Sequence, residues 1–109
     1  MAAETRISGN LVMHRNLLPK AGDNCALHKH HYDHTLFLVA GSVHVRCLSP
    51  DGSAKERDLI APDTLLIPAE DMHEIVALGA GTEFWCVFPC RDYLGDVSLV
   101  HTGWERAYT

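Results

Sequence analysis

The stretch Gly22-Asp23-Asn24-Cys25-Ala26-Leu27-His28-Lys29-His30-His31-Tyr32-Asp33-His34 decides how this chain is read. Residues two apart on a β-strand project from the same face, so a strand over Asn24–His30 presents His28 and His30 together. On that alternation Asn24 and Ala26 share their face, and Cys25, Leu27 and Lys29 take the other. A turn through Tyr32-Asp33 leads to His34 at the head of the apolar strand Thr35–Val39. Such a turn can return a third imidazole beside the first two. Converging imidazoles suit Zn, Fe, Cu, Ni or Mn. A His-x-His pair alone is a weak signal, because such pairs are also common on surfaces.

Outward from this stretch the apolar residues keep a period of two. Candidate strands are Arg6–Met13, Asn24–His30, Thr35–Val39, Val43–Leu48, Lys55–Ile60, Thr64–Ile67, His73–Leu78 and Glu83–Phe88. Turn formers separate them at Pro19–Gly22, Ala40–Ser42, Ser49–Ser53, Ala61–Asp63, Pro68–Asp71 and Gly79–Gly81. Within the third, Pro50-Asp51-Gly52 is a strong turn signal, because proline presets φ and glycine accepts positive φ. Many short strands at regular spacing predict an all-β sandwich or barrel. There is no repeat, linker or sustained helical period, so residues 1–109 read as one domain. The tail His101–Thr109 stays unassigned.

Composition sets the outer bounds. The chain has 109 residues, 47% apolar and 21% charged, which suits a single soluble domain. No stretch approaches the ~20 apolar residues of a membrane span. A net charge of −5 leaves no electrostatic footprint for nucleic acid. Cys25, Cys47, Cys86 and Cys90 form no C-x-x-C pair, and the N-terminus lacks the pattern of a secretory signal. Reduced thiols in a cytoplasmic protein are therefore expected. The remaining excess is eight histidines.

The spacing of these histidines resembles that of the cupin superfamily, whose members are small jelly-roll barrels of the double-stranded β-helix type. The first cupin motif, G-x5-H-x-H-x3,4-E-x6-G, is matched by Gly22, His28, His30 and Gly41, with His34 in place of the usual glutamate. In the second, G-x5-P-x-G-x2-H-x3-N, Pro68 and His73 match, while Pro62, Glu70 and Ala77 replace the two glycines and the asparagine. The resemblance spans about residues 21–89. It implies a cupin barrel holding one divalent transition metal (Fe, Mn, Ni, Cu or Zn) on His28, His30, His34 and His73. The exchange of glutamate for His34 is similar to a subset of very small four-histidine cupins. By the same resemblance Cys86, with Phe84 and Phe88, faces the interior.

His44 with Arg46 forms either an outward polar face or a pair of pocket groups, and Tyr32 beside the ligands is a further pocket candidate. His14, His31 and His101 read as surface residues. Four neutral imidazoles leave the metal charge uncompensated, which favours anionic oxygen ligands. The resemblance implies an oxidoreductase of dioxygenase type acting on a small oxygen-rich molecule, with lyase, isomerase or cyclase chemistry close behind. No residue offers itself as the general base. A non-catalytic module that binds or senses a ligand, and a structural metal in a dimeric scaffold, are the competing expectations. Small cupins are commonly homodimers, so a homodimer is expected by analogy.

Overall fold

The computed structural model describes residues 2–28 and 33–89, apart from the side chains at 2, 3 and 26–28. In chain order its strands are β1 (Ala2–Ser8), β2 (Leu11–Leu18), β3 (Asn24–His28), β4 (His34–Ala40) and β5 (Ser42–Leu48). They continue as β6 (Ala54–Ile60), β7 (Asp63–Ile67), β8 (Met72–Ala77) and β9 (Thr82–Pro89). One sheet runs β1-β2-β9-β4-β7 and the other β3-β8-β5-β6. Every pairing is antiparallel. The described residues contain no helix. The two sheets close over a shared interior as the expected jelly-roll barrel of cupin type.

Alternation decides what fills that interior. Phe84, Cys86 and Phe88 point inward from β9, and Leu36 and Leu38 from β4. Val43, Val45, Leu59, Ile67, Ile75 and Ala77 meet them from the other strands, all buried. Fully burying a side chain of this size stabilises by about 1.5–3 kcal/mol, so this layer is what holds the sheets together.

Two local features depart from the sequence expectation. Arg6–Met13 is not one strand but a hairpin, in which Ser8 pairs with Leu11 around Gly9-Asn10. Ile7, Leu11 and Met13 keep an odd-numbered apolar pattern across the turn, so periodicity alone runs through it. The Gly-Asn pair is the signal that marks the turn, and Gly9 adopts the positive φ (57°) that the first turn position needs.

The second departure is a β-bulge in β3. Cys25 pairs with Ile75, yet His28 pairs with His73, so three steps along β3 match two along β8. The extra residue reverses the parity of the strand. Cys25 therefore packs against the core, on the face opposite to the one simple alternation assigns it.

Candidate metal centre

His34 opens β4 in one sheet and His73 lies on β8 in the other. Both are buried, at 3% and 1% exposure. Their ring centroids stand 5.0 Å apart with the planes tilted by 55°. A single ion bonded at ~2.0–2.1 Å to one nitrogen of each ring can span that separation. His28 enters through backbone register, directly opposite His73. His30 and Tyr32 lie outside the described residues, as do His31, Cys90 and His101. Among the described residues there is no group of three or more metal-binding side chains. The described part of the site is thus a pair of histidines with His28 at the adjoining backbone position.

The pair fits a divalent metal in its donor chemistry. The Nδ1 atom of His73 lies 3.3 Å from the carbonyl oxygen of Asp71, which can only accept. That contact favours the proton on Nδ1 and directs the lone pair of Nε2 elsewhere, the usual way a ligand histidine is oriented. Asp71 is itself buried, and its carboxylate accepts a hydrogen bond from the Ser49 hydroxyl at 3.3 Å.

The turn before His73 keeps its shape without the glycine of the second motif. Glu70 adopts φ of 69°, and among the described residues it is the one non-glycine with positive φ. Holding a side chain there costs about 1–2 kcal/mol. Strain of this kind, three residues from a buried histidine, is commonly retained where a site needs the geometry.

The other candidates divide by face. Phe84, Cys86 and Phe88 are interior, as the resemblance implied. Burial pushes the Cys86 thiol up to about 12, with Cys25 nearby adding to the effect, and burial lifts Cys25 to about 11. Burial thus favours the neutral thiol at both positions. Of the two placements its alternation allows, His44 takes the outward polar face. Its ring sits on the outer face between Asp58 (2.6 Å) and Glu56 (3.2 Å), because its neighbours Val43 and Val45 take the inner face. These carboxylates raise its pKa, Asp58 first. Arg46 shares that outer face and lies 3.8 Å from Glu74.

His14 departs from its expected surface position. It shares the inward side of β2 with Val12 and Asn16, opposite Cys86, and burial lowers its pKa. Its Nδ1 is 3.0 Å from the Thr5 hydroxyl. Cys47 is a site neighbour that sequence reasoning does not find, although it pairs directly with His73 across β5 and β8.

Fold and buried histidine pair together define a cupin-type barrel with a histidine site in its interior. Comparison with solved structures places the chain among such barrels. Bacillus subtilis oxalate decarboxylase, described with Mn(II) centres, matches with a TM-score of 0.69 at 25% identity, over 80% of this chain and 27% of the decarboxylase. A cupin superfamily protein from Desulfitobacterium hafniense matches with a TM-score of 0.67 over 81% of this chain and 75% of its own. Its 15% identity speaks for the fold alone. The chain therefore spans about a quarter of the decarboxylase chain it resembles. No family model matches the sequence, and no curated protein is detectably similar to it.

Proposed function

We propose that this chain is a metal-dependent cupin of dioxygenase type that holds one divalent transition metal on His28, His30, His34 and His73. The carrying observation is the pair of buried imidazoles, His34 and His73, meeting across the two sheets at 5.0 Å. A bound metal would supply Lewis acidity and, for Fe, Mn or Cu, a change of oxidation state. The chain's own contribution is positional. The Asp71 carbonyl orients His73, and Phe84 and Phe88 with Leu36 exclude water from the interior. The substrate is a small oxygen-rich molecule, and the chain works in the cytoplasm as a homodimer. Exposed Phe37, Val39 and Leu66 on the outer face of β4 and β7 give such a pairing an apolar surface.

The test is metal analysis of protein purified without chelator, followed by titration with Mn(II), Fe(II), Ni(II), Cu(II) and Zn(II). Loaded protein is then assayed for oxygen uptake with 1,3-diketones, catechols, α-hydroxy acids and oxalate. Stoichiometric metal that is lost in His34→Ala and His73→Ala, together with oxygen uptake, supports the reading. Failure to bind any of the five ions refutes it. Binding with every compound recovered unchanged refutes the enzyme and leaves a sensing module. Sedimentation at the mass of one chain would remove the homodimer.

A further inference from the structure

A cavity of about 490 Å³ opens between β6 and β7, the edge strands of opposite sheets. Its volume lies within the range of small-molecule sites. Its lining includes the apolar Val45, Leu65 and Pro68 together with the cations Lys55 and Arg57. Register explains the two cations. In an antiparallel pair, opposed residues share a face. Arg57 opposes Val45 and Lys55 opposes Cys47, so both side chains leave the sheet on its inner side. The same inward row begins at Leu59, which is buried. Where further apolar residues would close the interior, β6 instead presents two charges beside open space.

These charges are available to a ligand. Among the described residues, neither Lys55 nor Arg57 makes an ion pair or a side-chain hydrogen bond. Two acids also line the cavity: Glu56 turns to His44 at 3.2 Å, whereas Asp71 accepts from the neutral Ser49 hydroxyl at 3.3 Å and acts electrostatically on Cys47 beside it. The cavity also adjoins the metal centre. Cys47 on its wall is the cross-strand partner of His73, and Asp71 provides the carbonyl that orients the His73 ring.

We propose that this cavity is the substrate subsite and that it takes a small monocarboxylate with an apolar body. Arg57 and Lys55 hold the carboxylate, and Val45, Leu65 and Pro68 receive the hydrocarbon part. The assignment of the bound molecule as a substrate rests on the metal-dependent reading above; the binding itself does not. A planar guanidinium can grip a carboxylate through two parallel hydrogen bonds, while the ammonium adds a point charge. The competing explanation is that inward charges on β6 merely guard an exposed sheet edge against pairing with another chain.

The experiment uses the full chain with 3-phenylpropionate as probe, followed by amide chemical shifts, in chelator-treated and in metal-loaded protein. Saturable shifts should map to β6, Val45 and Cys47 in both forms. The uncharged 3-phenylpropionamide, and separately the variants Lys55→Gln and Arg57→Gln, should bind roughly tenfold more weakly or worse, as loss of a charged hydrogen bond implies. Equal binding of acid and amide, absence of saturable shifts, or unchanged affinity in both variants overturns the proposal. So does a variant that self-associates yet binds the probe as before, since the cations are then edge guards. Because the chelated form needs no metal, failure of the metal reading leaves this result standing, and the converse also holds.

Discussion

Replacing Gly41 by alanine tests how the two sheets are joined. Gly41 is the single residue between β4, which carries His34, and β5, whose Cys47 pairs with His73. Its φ is 80°, in the left-handed region. A Cβ placed there would stand 2.8 Å from the Thr82 Cα and press on the Thr82 hydroxyl oxygen. Thr82 is buried, and its hydroxyl donates to the Gly79 carbonyl at 2.9 Å, so it has little room to retreat. The left-handed conformation costs about 1–2 kcal/mol with a side chain, and the overpacking adds about 1–3 kcal/mol. Gly41→Ala should therefore lose roughly 2–5 kcal/mol, a large share of the stability of a domain this size.

Gly52 is the matched control. Its φ of 89° is similar, but a Cβ placed there would meet nothing within 4 Å. Gly52→Ala should lose only the conformational part, about 1–2 kcal/mol. Urea unfolding followed by circular dichroism reads the difference. With a urea slope of about 1–3 kcal/mol per molar, Gly41→Ala should unfold on the order of 1 M earlier than Gly52→Ala. Coincident midpoints would refute the close approach of the β4–β5 turn to Thr82, and with it this join between the sheets.

Two further outcomes are expected. His14 and His44 should titrate on opposite sides of the ordinary histidine value in an NMR pH series, His14 below it through burial and His44 above it through Asp58 and Glu56. The signs follow from proton linkage. The contribution of His44 is present below the unfolded value of ~6.5 and lost as pH rises through its raised folded value. That of His14 is present above ~6.5 and lost as pH falls toward its lowered folded value. A shift of His44 that survives Asp58→Asn and Glu56→Gln together would discredit the assigned cause. Separately, Glu70→Gly should relieve left-handed strain and change stability by about +1 kcal/mol, in thermal melts at matched pH. A loss of stability instead would mean that the Glu70 side chain holds the turn more strongly than its backbone resists it.

Much of the fold is legible because turn chemistry is local. Proline and glycine mark the boundaries from β4 to β9, and most strands between them alternate, β3 with its bulge being the exception. The β1–β2 turn escapes a reading by periodicity because its flanking apolar residues stay in phase across Gly9-Asn10. Of the site, His34 and His73 are recognisable from motif spacing. Cys47 and Asp71 are not, since nothing local distinguishes them. Lys55 and Arg57 can be placed from the Pro50-Asp51-Gly52 turn, which sets the β5–β6 register and hence their inward face.

By itself the sequence determined the strand periods, most turns, and the histidine spacing that resembles a cupin, because these depend on backbone preferences of a few neighbouring residues. Only the tertiary structure decided which histidines meet, and it did so by bringing together residues 34 and 73, a contact that no local rule contains. It also decided the face of Cys25, through one extra residue in β3, and the openness of the cavity beside β6. A bulge and an unfilled inward position are properties of two strands facing each other. Neither exists until both strands are in place.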